Sequence, residues 1–141
     1  NEDEIAAAIA NPACGMIASD GQVKDHAGHP RAAGTFPRIL GKYVREDKAL
    51  TLEEAIYKMT KKPATTFNMT DRGELKEGYY ADITVFNPET VIDKGTFTNP
   101  IQYPDGIEFV MINGEFAVMN GKHTGKRNGV VLRKKGTEVI K

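Results

Sequence analysis

Apolar positions recur at helical spacing through the first half of the chain and at strand spacing through the second. Ile5, Ala8 and Ile9 occupy the i, i+3, i+4 positions of one face, which predicts a short helix over residues 3–10, stopped by Asn11-Pro12. Gly15-Met16-Ile17-Ala18 is a short apolar run without alternation, the pattern of a strand covered on both faces, as in parallel α/β sheets. It ends abruptly in Ser19-Asp20-Gly21, and residues 21–35 read as a loop rich in Gly, His, Pro and Asp. A second helix is expected to start near Pro37, a residue favoured in the first turn, with Ile39, Leu40, Tyr43 and Val44 on its apolar face. The third has the clearest signature. Thr51-Leu52-Glu53-Glu54 is a capping box, Leu52, Ala55, Ile56 and Met59 form the buried stripe, and Lys58, Lys61 and Lys62 suit the negative end of the helix dipole. Pro63 then resets the chain into a shorter helix through Phe67.

From Asp71 the pattern turns to β. Residues 81–86 read as a strand closed by Asn87-Pro88, and residues 107–113 and 115–119 flank Asn113-Gly114, the strongest short hairpin signal. A last strand is expected at residues 130–133. The fold class is therefore α/β plus β, with a helical part over residues 1–70 and a small β domain with a basic tail over residues 71–141. No internal repeat or low-complexity segment interrupts this order.

Charge narrows the function. The 141 residues hold 19 Lys+Arg against 19 Asp+Glu, balanced within each half, so the basic excess of a nucleic-acid-binding domain is missing. Only the last 20 residues are lopsided, with seven Lys/Arg against one Glu. That end reads as a solvated tail or, alternatively, as a contact for an anionic partner. No run approaches the roughly 18 apolar residues of a membrane span. A lone Cys14 excludes an internal disulfide framework and fits a reducing, cytoplasmic setting. The chain opens on Asn1 and runs at once into a helical pattern, as the middle of a longer protein would.

Few residues invite chemistry. Asp20 stands just past a buried strand, where α/β barrels place catalytic groups and where it could bind a metal or act as a general base. It could equally be the turn-capping aspartate of an Asp-Gly pair. His26 and His29, with Asp25, offer metal ligands, but Gly28 and Pro30 oppose the helix that would align them, and they read as loop histidines. Cys14 reads as a small core residue. Arg31 follows Pro30, and its guanidinium is either a loop-tying group or a bidentate clamp for a substrate carboxylate. No phosphate-binding glycine loop, nucleophile elbow or zinc-finger spacing is present.

A resemblance decides between these readings. Gly15-Met16-Ile17-Ala18-Ser19-Asp20-Gly21, His29-Pro30-Arg31-Ala32-Ala33-Gly34-Thr35-Phe36-Pro37-Arg38-Ile39-Leu40-Gly41, the stretch from Asp71-Arg72-Gly73 to Val85-Phe86, and Val110-Met111-Ile112-Asn113-Gly114 resemble N-acyl-D-amino-acid deacylases (D-aminoacylases) of the amidohydrolase superfamily. The pattern at residues 73–82 is shared widely by amidohydrolases, whereas the His-Pro-Arg to Pro-Arg-Ile-Leu-Gly segment is narrower. The resemblance implies the C-terminal fragment of a metal-dependent (β/α)8 amidohydrolase barrel followed by a small β-sandwich domain. It implies zinc as cofactor, polarising the amide carbonyl and lowering the pKa of bound water. It also implies Asp20 as metal ligand and proton shuttle, and Arg31 as the group that binds the substrate's α-carboxylate.

The departure is equally plain. The superfamily's His-x-His pair, bridging ligand and two further histidines have no counterpart in these residues, and one barrel strand cannot close a barrel. The chain is therefore expected to be inactive alone, with the missing N-terminal part of the same chain as its partner and self-association of the fragment as a consequence of its uncovered faces. Two other readings remain open. One is a fragment of a hydantoinase- or dihydroorotase-like cyclic amidase, the other a non-enzymatic β-domain binding module.

Overall fold

In the computed structural model, which describes residues 1–24 and 27–133, the helices are set by their end signals. Helix α1 (Glu2–Ala10) starts at Asn1, whose side chain accepts from the Asp3 N–H, and it carries Glu2, Asp3 and Glu4 at the positive end of its dipole. Helix α3 (Leu52–Met59) has both halves of its capping box: the Glu54 N–H donates to Thr51 Oγ1 at 3.2 Å and the Thr51 N–H to Glu54 Oε2 at 2.9 Å. Short α4 (Lys61–Thr66) follows, with Pro63 in its first turn, where no intrahelical donor is needed.

Helix α2 (Arg31–Arg38) begins earlier than the position of Pro37 predicts. Pro30, at φ −50° and ψ −31°, is already helical and launches it, so Pro37 falls inside the last turn and withholds an amide there. The chain then loosens without breaking into a π-helical segment (Ile39–Glu46), whose end is marked by the Asp47 N–H reaching back five residues to the Lys42 carbonyl at 2.8 Å.

The expected strand at residues 15–18 does not form. A strand requires a neighbour to exchange hydrogen bonds with, and among the described residues none lies alongside; the Ile17 N–H donates instead to the Lys58 carbonyl at 3.1 Å, with the Ile17 side chain buried. Residues 130–133 form no strand either, and Val130, Val131 and Leu132 stay exposed. Within the loop before α2, β1 (Val23–Lys24) and β2 (Ala27–Gly28) make a two-residue antiparallel ribbon that the sequence pattern does not announce.

The main sheet is antiparallel throughout, in the order β3 (Ile83–Phe86), β4 (Ile107–Ile112), β5 (Glu115–Met119) and β6 (Lys122–His123). Asn113 and Gly114, at φ 52° and 82°, make the left-handed two-residue turn that joins β4 to β5, as their sequence predicts. The described residues thus form helices, a two-stranded ribbon and one four-stranded sheet; a second layer that would make a sandwich is not among them.

The core gathers Ile17, Ile39, Leu40, Tyr43, Leu50 and Ala55 around Val91, which is wholly buried. Residues 91–93 reach it by lying directly on the backbone of the second helix. A β-carbon on Gly41 would come within 2.4 Å of the Val91 carbonyl oxygen, and one on Gly34 within 2.9 Å of Asp93 Cβ. The Arg45 guanidinium secures the crossing by donating to the Val91 carbonyl at 2.6 Å and the Pro88 carbonyl at 3.1 Å.

This close approach makes Gly41 a sensitive position. Gly41→Ala is expected to lower the unfolding free energy by about 1–3 kcal/mol, the usual range for an overpacked core. Gly129→Ala, with open space around it, should stay within about 0.5 kcal/mol of the parent. Parallel denaturant titrations of the two variants check this, and equal stabilities would refute the close packing.

Candidate active site

Asp20 and Arg31 are far apart in sequence and adjacent in space. The link is made by their neighbours: Ser19 Oγ donates to the Arg31 carbonyl at 2.9 Å, and the Gly21 N–H donates back to Ser19 Oγ at 3.3 Å. Gly21 rests on the first turn of α2, where a β-carbon would fall within 2.2 Å of Ala32 Cα. The corner Ser19-Asp20-Gly21 is thereby strapped to the helix start, and Asp20 Oδ2 stands 3.6 Å from Arg31 Nη2.

This ion pair contributes little to stability. The Asp20 side chain is 93% exposed and that of Arg31 48%, so water screens their attraction to about 0–1 kcal/mol. Either group can therefore exchange its partner for a ligand at small cost. Arg31 in particular offers a planar guanidinium at a helix start, where a carboxylate is favoured both by the fork geometry and by the helix dipole.

The remaining sequence candidates do not join this pair into a metal centre. His29 Nδ1 accepts the Arg31 N–H at 3.1 Å, which occupies one ring nitrogen in shaping the turn. Cys14 is half-buried and its Sγ lies 3.6 Å from the Met16 carbonyl oxygen. Asp25 and His26 lie outside the described residues, as do residues 134–141 of the basic tail. Among the described residues no three His, Cys, Asp or Glu side chains come together as a metal would require. Asp20 offers a single carboxylate, and as a set the residues present do not fit a zinc site.

Beside Arg31 runs a cleft of about 470 Å3, walled by Ile5 and Ile9 of α1, by Arg31 and Thr35 of α2, and by His29 and Phe97. Asp20 is not part of its lining. Its floor holds a network that sequence reasoning missed. Tyr43 Oη donates to Glu2 Oε2 at 2.6 Å, Arg38 Nη2 donates to Glu2 Oε1 at 3.0 Å, and Arg38 Nη1 lies 3.5 Å from the nearly buried Asp93. The hydroxyl of Tyr43 and the Arg38 guanidinium hold the Glu2 carboxyl below the usual carboxylate range, while burial and the bond to Glu2 push the Tyr43 phenol up. The sequence carries no signal for this network: Gly34, which packs against Asp93, falls in the stretch that reads as a loop, where a glycine is ordinary. A larger cavity of about 710 Å3 lies between residues 66–72, Tyr80 and residues 128–133 and contains neither Asp20 nor Arg31.

The sequence profile of the amidohydrolase family matches residues 3–118. This chain belongs to that family. Among the amidohydrolases it falls with the D-aminoacylases. It is 46% identical over 121 residues to an N-acyl-D-glutamate deacylase of Alcaligenes xylosoxydans xylosoxydans, covering 86% of this chain and 25% of that protein. The crystal structure of the N-acyl-D-glutamate deacylase of Bordetella bronchiseptica, complexed with zinc and a phosphonate mimic of the tetrahedral intermediate, superposes with a TM-score of 0.79. It shares 43% identity, over 83% of this chain and 24% of that one. A D-aminoacylase structure described for its binuclear metal centre superposes at 0.84, with 40% identity over 92% of this chain and 27% of that one. The amidohydrolase chain thus spans about a quarter of the length of the relatives it matches. No helix among its described residues is long and apolar enough to cross a membrane.

The Glu2 network generates a test. A carboxylate held low contributes stability that is complete above its unfolded pKa and is lost as pH falls through the lower folded value. Tyr43→Phe removes the main cause, so the Glu2 carboxyl should titrate at higher pH in that variant, and acid unfolding should begin earlier. Carbon-detected NMR titration of Glu2 in both proteins checks it; an unmoved titration refutes the hydrogen bond.

Proposed function

We propose that this chain is the C-terminal portion of a zinc-dependent amidohydrolase that hydrolyses N-acyl-D-amino acids to a D-amino acid and a carboxylate. The observation that carries the reading is the exposed pair of Asp20 and Arg31, held side by side at the start of α2 in a chain related to N-acyl-D-amino-acid deacylases. Arg31 binds the α-carboxylate of the substrate in place of Asp20. Asp20 then takes a proton from the attacking water as its oxygen bonds to the amide carbon, and delivers that proton to the nitrogen as the carbon–nitrogen bond breaks. Water and the amide are consumed; a carboxylate and a protonated amine leave, the second water proton passing to the amine.

Zinc belongs to this proposal as a cofactor of the longer protein. Asp20 is the one ligand proposed from these residues, and the others have to come from outside them. The same holds for the architecture: residues 1–70 would be the closing part of the (β/α)8 barrel and residues 71–141 part of a small β-sandwich domain, with the rest of the chain as the covering partner. A cytoplasmic setting rests on the single cysteine.

Kinetics of the full-length enzyme and of the isolated chain test the reading. In the full-length enzyme Asp20→Asn should lower kcat by about 10²–10⁴-fold, the range for loss of a general acid–base group. Arg31→Met should instead raise KM by about 10–100-fold, as loss of a charge-assisted hydrogen bond does. Full activity in Asp20→Asn would favour the non-enzymatic module. Faster turnover of cyclic amides than of N-acyl-D-amino acids would favour the ring-opening alternative. The isolated 141-residue chain, for its part, should neither turn over substrate nor retain stoichiometric zinc after dialysis, and measurable deacylation by it would overturn the division of the site.

A further inference from the structure

Phe97 is 80% exposed, yet its ring meets the His29 ring edge-on at 5.1 Å between centroids and 84° between planes. That contact fits the preferred T-shaped geometry of aromatic pairs. His29 is not an idle partner, because its Nδ1 is the acceptor for the N–H of Arg31. The ring at 97 thus meets the imidazole whose Nδ1 holds the backbone from which the Arg31 side chain leaves.

The segment carrying Phe97 is itself anchored along the same helix by two further residues. Asp93 lies against Gly34 and pairs with Arg38, and a β-carbon on Gly95 would approach Pro30 Cβ to 3.1 Å. Residues 93–97 thus touch α2 and the turn before it at Pro30, His29, Gly34 and Arg38, on either side of Arg31. The contacts leave the Arg31 guanidinium open.

We infer that Phe97, acting through His29, is a positioning residue for Arg31, and that residues 93–97 of the β half hold the carboxylate-binding arginine of the helical half in register with Asp20. The inference rests on the reading of Arg31 as the α-carboxylate binder. It predicts a defect confined to recognition of the negative charge, which a general loss of packing would not produce.

The test uses the full-length enzyme with two substrates, an N-acyl-D-amino acid and its neutral α-carboxamide. Phe97→Ala should raise KM for the acid about tenfold with kcat held within about twofold, and leave the constants for the carboxamide as they were. Phe97→Tyr, which keeps the ring edge, should preserve the parent preference for the acid. An equal loss on both substrates overturns the inference, since Phe97 would then be touching substrate directly. An unchanged preference overturns it as well. Arg31→Met supplies the reference. If it leaves the preference for the acid intact, the carboxylate reading falls and this inference with it. If it erases the preference while Phe97→Ala keeps it, this inference alone falls.

Discussion

The helical core hangs on the close approach where residues 91–93 cross the second helix and its π-helical extension. Gly34 and Gly41 present no side chain of their own: the Val91 backbone lies on Gly41 and the Asp93 side chain on Gly34, which lets Val91 reach the centre of the core and brings Asp93 to Arg38. Dispersion falls steeply with separation, so a contact at this range is available only where the β-carbon is missing on one side. The helix is thereby held at a fixed height above the chain that follows it. Its first turn, its π-helical extension and the corner bearing Asp20 inherit that placement.

The arginines along this helix divide into two kinds. Arg38 and Arg45 are spent on structure, the first between Glu2 and Asp93, the second on the carbonyls of Pro88 and Val91. Arg31 faces a carboxylate that water already solvates almost completely. The same side chain serves as a tie in two places and, in the proposed reaction, as a receptor in the third, and what separates the roles is the dielectric around the partner rather than the guanidinium itself.

Local chemistry was legible in the sequence wherever a few neighbouring residues sufficed. The capping box at Thr51 and Glu54 and the turn at Asn113-Gly114 both satisfy their backbone groups within four residues, and both form as read. The run at residues 15–18 was misjudged because a strand is a property of pairs, and its apolar pattern carries no information about who pairs with it. The start of α2 was misplaced because two prolines compete for one role, and the loop before Pro30 was read as continuing past it. For the site, Asp20 and Arg31 could be nominated from their types and their resemblance, but their distance could not: it depends on Ser19 and Gly21 meeting a turn that begins ten residues later. The Glu2, Tyr43 and Arg38 network is not legible because it joins residues about 40 positions apart, with Glu2 and Arg38 reading as ordinary surface charges and Tyr43 as a core ring.

The span between the crossing segments has a kinetic meaning. Hairpin β4–β5 and helix α3 close over a handful of residues, on the scale of about 0.1–10 μs for such elements. The bond from Arg45 to Val91 joins positions 46 apart, so the chain entropy of a long loop must be surrendered before the glycine contact returns anything. Rapid local elements therefore wait on a slow docking event. The turn that brings Asp20 to Arg31 is closed by Ser19 and Gly21 over ten to twelve residues, so it owes nothing to that long loop and belongs with the rapid local elements.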